Sequence, residues 1–378
     1  MSMHVNEPGN GEAYIVACLR MPADSGETAR DLYVRIASVL ATRKLAIVHE
    51  RIFGSIAVKS RVIAARRQAL GEHFGISDNI VTYIEGHPPW GEGLAGIIIR
   101  AVPAENVWMI EHQGITCGRG WQGNGCTFLM LQDINGRREG SDKQESRALQ
   151  VSRMIDRAGL ILGEYGASYS DVVRTWFYLS DILDWYAEFN KVRNEKYGEF
   201  GIMPGPGDGN LMLPASTGIR GNTRSGIAVV MDLFALVGVK NSLWPVKKLT
   251  NKGQLDAFRY GSAFSRGAVV READVSLIQV SGTAAIDERG VSRHSGDIRS
   301  QINCTFEKIE SLLGQEGAGL SDICAATVFV KRSQDARLFW EMAVDYGLKD
   351  FPAVCVVADV CREELLFEVD GEAVIRNE

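Results

Sequence analysis

The chain has 378 residues, of which 46% are hydrophobic and 23% charged, and its formal net charge at pH 7 is −6. These values are typical of a globular protein with an ample core, long enough for two or three domains. The negative charge argues against nucleic acid as a principal partner, because phosphate binding needs a concentrated basic surface, and no apolar run approaches the ~20 residues of a membrane span.

The N-terminal region predicts strands that alternate with helices. Strands are indicated by short apolar runs, and helices by apolar residues three and four positions apart. In chain order the predicted elements are a strand at 13–20, a helix at 28–42, a strand at 46–53, a helix at 57–74 and an apolar region at 81–102 that is interrupted by two prolines.

The rest of the chain repeats one pattern, which takes precedence over local motifs in assigning a fold. Hairpin-like strands are followed by an amphipathic helix, a Ser-Asp-led apolar strand, a second helix, a Pro-Ala pair that opens a strand, and a closing strand. The elements of the earlier copy are 107–116, 127–133, 144–162, 170–179, 182–197, 214–216 and 226–237, and those of the later copy are 268–271, 276–285, 298–313, 321–330, 334–346, 352–354 and 365–374.

Three segments of the later copy carry a family resemblance. They read Tyr-Gly-Ser-Ala-Phe-Ser-Arg at 260–266, Ser-Gly-Thr-Ala at 281–284, and Cys-Arg-Glu-Glu-Leu-Leu-Phe-Glu-Val-Asp-Gly at 361–371. Together they resemble the chorismatases, enzymes that remove the enolpyruvyl side chain of chorismate on a RidA-like (YjgF-like) fold. RidA-like proteins are typically trimers with a site in each cleft between subunits.

The resemblance implies an α+β fold of RidA-like repeats in a single-chain pseudo-trimer. Its units are expected at 12–106, 107–240 and 250–378. The first unit is a degenerate copy, and the last carries the catalytic strand.

Glu368 is the general acid that the resemblance implies. In chorismatases a glutamate on the last strand lies seven residues after a position that is cysteine in one subclass, and Cys361 and Glu368 have this spacing. Cleavage of an enol ether begins with protonation of its terminal methylene, which requires a carboxyl that stays protonated near neutrality, hence partly buried and free of a close cation. The alternative is an exposed glutamate that alternates with core residues on an edge strand.

Cys361 has two interpretations. In the cysteine-bearing chorismatases the product resembles 3-hydroxybenzoate, formed by rearrangement within the ring, and the resemblance implies this role for Cys361. A lone cysteine is otherwise a small hydrophobic core residue. Arg362 would face the opposite side if both residues lay on a strand.

Two arginines are candidates for binding the two carboxylates of chorismate, since such groups call for fixed, bidentate cations. Arg266 follows the matched aromatic–Ser pair, and Arg174 lies in the apolar strand of the earlier copy. For Arg174 a salt bridge to Asp171, Glu188 or Asp181 is an equal alternative.

The remaining candidates for substrate binding are apolar, small or hydroxyl-bearing. Phe264 belongs to an aromatic–Ser step similar to the one that lines the RidA pocket. Gly282, Thr283 and Ala284 match a Gly-Thr-Ala run of the chorismatases, where small residues let a ligand approach the backbone. Tyr178 could donate to a substrate hydroxyl or be a core tyrosine.

Two differences from the family reduce the number of activities and clefts that the sequence allows. Imine-deaminating RidA proteins place an arginine directly after the Pro-Ala pair, but Ser216 and Val354 stand there. The closing strand of the earlier copy reads Asp-Leu-Phe at 232–234, whereas the later copy keeps Glu368 and Asp370. These differences predict one functional cleft, between the second and third units.

The sequence therefore predicts a chorismatase-like enzyme that acts on chorismate or a related enol ether of secondary metabolism. A small carboxylic acid is the expected ligand, without a metal or organic cofactor, without nucleic acid or membrane partners, and with a monomeric pseudo-trimer or weak homo-oligomer as the assembly. Seven scattered cysteines without a C-x-x-C pair, and no visible signal peptide, indicate the cytoplasm. The alternatives are an imine deaminase or cyclodehydratase of a natural-product pathway, and a non-catalytic small-molecule-binding RidA relative.

Overall fold

The structure is a computed structural model that describes residues 2–19, 25–74, 80–123, 126–138, 145–204, 212–221, 226–238, 246–251 and 253–377. The helices are α1 (Ser25–Arg43), α2 (Lys59–Phe74), α3 (Arg147–Glu164), α4 (Ile182–Glu199), α5 (Ile298–Gly314) and α6 (Asp335–Asp345). None of the helices in these ranges is long and apolar enough to cross a membrane.

The strands form three sheets of related topology, the first with five strands and the other two with six. They are β1 (Ser2–Asn6), β2 (Ala13–Cys18), β3 (Leu45–Gly54), β4 (Thr82–Glu85), β5 (Leu94–Pro103), β6 (Val107–His112), β7 (Ile115–Gly123), β8 (Cys126–Asn135), β9 (Val172–Leu179), β10 (Ala215–Arg220), β11 (Val229–Val237), β12 (Val246–Leu249), β13 (Gly267–Arg271), β14 (Val275–Ala284), β15 (Ile323–Val330), β16 (Ala353–Val357) and β17 (Phe367–Arg376). The sheet orders are β1-β2-β5-β3-β4, β6-β7-β8-β11-β9-β10 and β12-β13-β14-β17-β15-β16. We call each sheet with its two helices the first, second and third unit.

Each unit buries its own helices against one face of its sheet. Separate hydrophobic clusters join α1 and α2 to the first sheet, α3 and α4 to the second, and α5 and α6 to the third. A fourth cluster lies where the other faces of the three sheets meet, and it includes Tyr14, Phe53, Trp121, Trp176 and Phe329. Burial of both faces explains why every residue of β9 and β15 is buried and why most of them are apolar.

The mixed α+β architecture confirms the fold class expected from the sequence, and the threefold repetition of sheets is consistent with a pseudo-trimer. Three local features differ from the expectations. The expected strand at 107–116 is the end of a hairpin, in which Gln113 and Gly114 both have positive φ and reverse the chain between β6 and β7. β12 pairs with β13 although its residues lie between the expected second and third units, and β1, which was not predicted, adds an edge strand to the first sheet.

Candidate active site

A cavity of about 850 Å³ lies between the second and third units. The second unit contributes one face of α4 and the start of β10. The third unit contributes the segment before β13, the end of β14, the turn before β17 and the first residues of β17. The lining residues used below are Tyr186, Asn190, Arg193, Ser216, Tyr260, Phe264, Arg266, Gly282, Ala284, Ile286, Cys361, Arg362 and Glu368.

Hydrogen bonds hold the two walls of this cavity together. Ser265 N donates to Pro214 O at 2.9 Å, and Ser216 N donates to Ser281 Oγ at 2.9 Å. Thr217 Oγ1 accepts from Gly282 N at 3.1 Å. The edge of the second sheet is thereby paired with the third unit, which fixes the position of both walls.

Glu368 lies near the start of β17 with 5% of its surface exposed. Its carboxyl faces Gly282, which leaves space that any side chain would fill. Among the described residues the carboxyl has no hydrogen-bond donor and no ion-pair partner. Burial raises the pKa of Glu368 to about 8 and the charge of Asp370 acts in the same direction, while Arg174 and Arg266 oppose the shift. Glu368 is therefore a carboxylic acid at neutral pH that can donate a proton into the cavity.

Cys361 is half-buried in the turn before β17 and lines the same cavity. Burial, reinforced by the charge of Glu368, raises the pKa of its thiol to about 12, so the sulfur is a neutral thiol. Arg362 also lines the cavity, contrary to the expectation from strand alternation, because residues 361 and 362 lie in a turn. Its Nη1 donates to Gly290 O at 2.9 Å.

Arg266 and Phe264 both line the cavity, next to each other. Arg266 is 2% exposed, and its guanidinium donates to Leu255 O and, at 2.8 Å, to Tyr260 Oη. Its Cζ lies 5.3 Å from the centre of the Phe264 ring. Within the described ranges Arg266 has no carboxylate partner, which leaves its positive charge available to an anionic ligand.

Arg193 is a second buried cation in the cavity wall, and sequence reasoning missed it. It is 1% exposed, its Nη2 donates to Asn190 Oδ1 at 2.6 Å, and its Nε has no partner. No carboxylate of the described residues pairs with it. Its Cζ lies 5.7 Å from the centre of the Phe264 ring, so the two guanidinium groups are both in contact with this ring. The sequence did contain a signal that Arg193 is buried, because it lies one helical turn from both Phe189 and Tyr197 on the buried face of α4.

Three predicted site residues do not line the cavity. Arg174 is buried and donates to Asp370 Oδ2 at 3.2 Å, a partner other than the three expected. Tyr178 is buried, with its hydroxyl next to Arg51. Thr283 donates to Ser281 O at 2.8 Å and points away from the cavity, because successive side chains of a strand face opposite sides and its neighbours Gly282 and Ala284 face the cavity.

The strand registers show that the position of Glu368 is not acidic in the other two closing strands. Glu368 pairs with Phe329 in the third sheet, and the matching position opposite Tyr178 in the second sheet is Val230. The first sheet has Gly96 there, opposite Phe53. Asp232, however, occupies the position of Asp370, so the second copy is not without an acid on its closing strand.

No group of three or more His, Cys, Asp and Glu side chains in the described part of the chain could hold a metal ion. The polar groups of the cavity are instead a neutral carboxyl, a neutral thiol, tyrosine hydroxyls and guanidinium groups. This set suits proton transfer to an anionic organic ligand.

Comparisons with known proteins agree with the architecture. Residues 257–375 match the family Ribonuc_L-PSP, described as endoribonuclease L-PSP, so this part of the chain is a RidA-type domain. A solved chorismatase structure covers 98% of this chain with a TM-score of 0.65 and 16% sequence identity, which establishes a shared fold.

Two curated relatives are similar in sequence. A 3-hydroxybenzoate synthase of Streptomyces hygroscopicus is 28% identical over 56% of this chain and 65% of its own length. A chorismatase of Streptomyces rapamycinicus is 26% identical over 56% of this chain and 66% of its own length. The matches thus span slightly less than two thirds of each relative.

Proposed function

We propose that this protein is a chorismatase-like enzyme that cleaves the enolpyruvyl ether of chorismate, with 3-hydroxybenzoate and pyruvate as products. One observation carries the proposal: a buried, protonated carboxyl faces a cavity that also contains two buried arginines. Among the residues that the structure describes, this carboxyl has no hydrogen-bond donor and neither arginine has a carboxylate partner. The names of the two sequence relatives support the same substrate.

Glu368 is the proton donor in this proposal. Protonation of the terminal methylene turns the enol ether into an oxocarbenium ion. The bond between the ether oxygen and the ring then breaks, and the oxygen leaves with pyruvate. The remaining ring hydroxyl moves to the vacated carbon, and the ring returns one proton to the Glu368 carboxylate as it becomes aromatic. A carboxyl with a pKa of about 8 is mostly protonated at neutral pH and is still a strong enough acid to transfer its proton. General acid catalysis of this kind contributes roughly 10²–10⁴-fold to the rate.

Arg266 and Arg193 bind the two carboxylates of the substrate. Both guanidinium groups contact Phe264, so they present two fixed positive charges next to one apolar surface. A planar guanidinium binds a carboxylate in a bidentate manner, which fixes orientation as well as charge. The cavity of about 850 Å³ is within the usual range for a site that encloses a small organic ligand.

Cys361 determines which product the ring of chorismate forms. Conversion of chorismate to 3-hydroxybenzoate and pyruvate consumes no net water, whereas hydrolysis to a dihydroxy-cyclohexadiene and pyruvate consumes one water molecule. A neutral thiol and the apolar Ala284 and Ile286 in the cavity wall favour the path without water.

The test is incubation of the purified protein with chorismate, with substrate and products separated by chromatography. We expect 3-hydroxybenzoate and pyruvate from the wild type and a loss of about 10²–10⁴-fold in rate for Glu368→Gln. Glu363→Gln is the matched control, because Glu363 is an exposed residue paired with Lys331 and should retain activity. A dihydroxy-cyclohexadiene product would contradict the role of Cys361, and no consumption of chorismate would contradict the substrate.

A further inference from the structure

A buried polar cluster lies directly behind the acid of the proposed reaction. Asp370 follows Glu368 by two residues on β17 and so lies on the same face of the strand. Asp370 Oδ2 accepts from Thr217 Oγ1 at 2.8 Å and from Arg174 Nη2 at 3.2 Å, and Arg174 Nη2 also donates to Thr217 Oγ1 at 2.6 Å. All three side chains are at most 2% exposed, and two of them come from the second unit.

Thr217 links this cluster to the wall that supports the acid. Its hydroxyl donates to Asp370 and accepts from Arg174 and from Gly282 N, which uses its full hydrogen-bonding capacity. Gly282 is the residue against which the Glu368 carboxyl lies. A displacement of the cluster would therefore move the acid.

The charges of the cluster are only partly compensated. Asp370 Oδ1, Arg174 Nε and Arg174 Nη1 are buried without hydrogen-bond partners in the described part of the chain. Glu368 is thus close to the buried negative charge of Asp370 on its own strand and to the positive charge of Arg174 on β9. The other titratable groups around Glu368 are Arg266, the Tyr186 hydroxyl of α4 and the Cys361 thiol, the last two neutral because burial raises the pKa of each.

The fold contains a second copy of this cluster without an acid beside it. Asp232 occupies the position of Asp370 and accepts from Thr82 Oγ1 at 2.6 Å and from His49 Nε2 at 3.0 Å, both in the first unit. The position that corresponds to Glu368 is Val230. The Asp–Thr hydrogen bond therefore connects two units in both copies, the second with the third through Asp370 and the first with the second through Asp232. In these two copies, a carboxyl that could donate a proton stands beside the pair only at Asp370.

We propose that Asp370, held by Thr217 and Arg174, is a positioning residue that keeps Glu368 protonated and fixed against Gly282 for proton donation. The inference rests on the proposed function, in which Glu368 is the acid. Removing the negative charge of Asp370 would leave the positive charge of Arg174 uncompensated. Both changes make it easier for Glu368 to ionise, so the sign of the effect is defined.

The test is the protonation midpoint of Glu368 in the substrate-free protein, measured from the infrared band of the protonated carboxyl. The band is assigned by subtracting the spectrum of Glu368→Gln. In Asp370→Asn we expect the midpoint to fall by about one to two pH units, and the high-pH limb of kcat/KM on chorismate to move with it. Asp232→Asn is the matched control: it breaks the equivalent joint and should leave the midpoint unchanged.

An unchanged midpoint in folded Asp370→Asn, or an equal shift in Asp232→Asn, would overturn the proposal. If Asp370→Asn does not fold, Asp370→Asn combined with Arg174→Gln removes both buried charges. Its midpoint should still lie below that of the wild type, because Asp370 acts on Glu368 more strongly than Arg174 does; an equal or higher midpoint would overturn the proposal. The infrared readout needs no turnover, so a failure of the substrate assignment is distinguished from a failure of this inference.

Discussion

Gly282→Ala tests whether the position of the Glu368 carboxyl matters for activity. A Cβ on Gly282 would lie 3.1 Å from Glu368 Cδ and in closer conflict with Oε1. The φ of Gly282 is not in the left-handed region, so alanine introduces no backbone strain. The nearest conflicting atoms are the end of the Glu368 side chain, followed by Thr217 Cγ2 at 3.3 Å. The substitution should therefore displace mainly the acid and leave the fold intact.

The size of the effect follows from the geometry. Carbon atoms in contact are normally about 3.5–4.0 Å apart, so Cδ has to move by about 0.4–0.9 Å and the closer Oε1 by about 1 Å. A displacement of this size at a reacting group costs about 10²-fold in rate, or roughly 2.7 kcal/mol of transition-state stabilisation. Because the substrate carboxylates are bound by other residues, we expect the loss mainly in kcat.

The assay is steady-state kinetics on chorismate, beside the thermal unfolding midpoint of the same preparations. Gly163→Ala is the matched control, because a Cβ at Gly163 near the end of α3 meets no atom within 4 Å. We expect a loss of about 100-fold for Gly282→Ala with little change in Tm, and no loss for Gly163→Ala. Full activity of Gly282→Ala would refute the placement of Glu368 as the proton donor.

Three further outcomes are expected. The pKa of Glu368 is raised from 4.5 to about 8, so this carboxyl lowers the free energy of unfolding increasingly as pH rises from 4.5 to 8. At pH 8, Glu368→Gln should therefore unfold at a higher denaturant concentration than the wild type. The difference between the two unfolding midpoints should disappear towards pH 4.5. Arg193→Gln and Arg266→Gln should each raise the KM for chorismate by about 10- to 100-fold with a smaller change in kcat, and an unchanged KM would exclude the residue from carboxylate binding. Burial lowers the pKa of Lys248 from 10.5 to about 7, so the free energy of unfolding falls as pH falls from 10.5 to 7. Lys248→Met should therefore raise Tm at pH 7. An equal increase in Tm at pH 7 and pH 10.5 would contradict this prediction.

Much of the fold could be predicted from local sequence patterns. The two Ser-Asp pairs each form part of a short 3-10 turn in which the aspartate bonds back to the backbone, and a buried strand follows in both cases. Helical periodicity placed α3, α4, α5 and α6, because one face of each helix is buried against a sheet. The hairpin between β6 and β7 was missed because Gln113 is an unusual residue at a positive φ, without the Asn-Gly or Asp-Gly signal of such turns.

The sequence alone predicted the repeated elements from their periodicity, and the family resemblance of three segments implied the α+β architecture and the residues around Glu368. Only the tertiary structure decided which side chains face the cleft. Arg174 pairs with Asp370 across 196 positions of the chain, and Arg193 enters the cavity from a helix of another unit. Alternation along a strand defines two faces but does not tell which of them meets a cavity. That choice is made where units pack together, through partners that lie far apart in sequence.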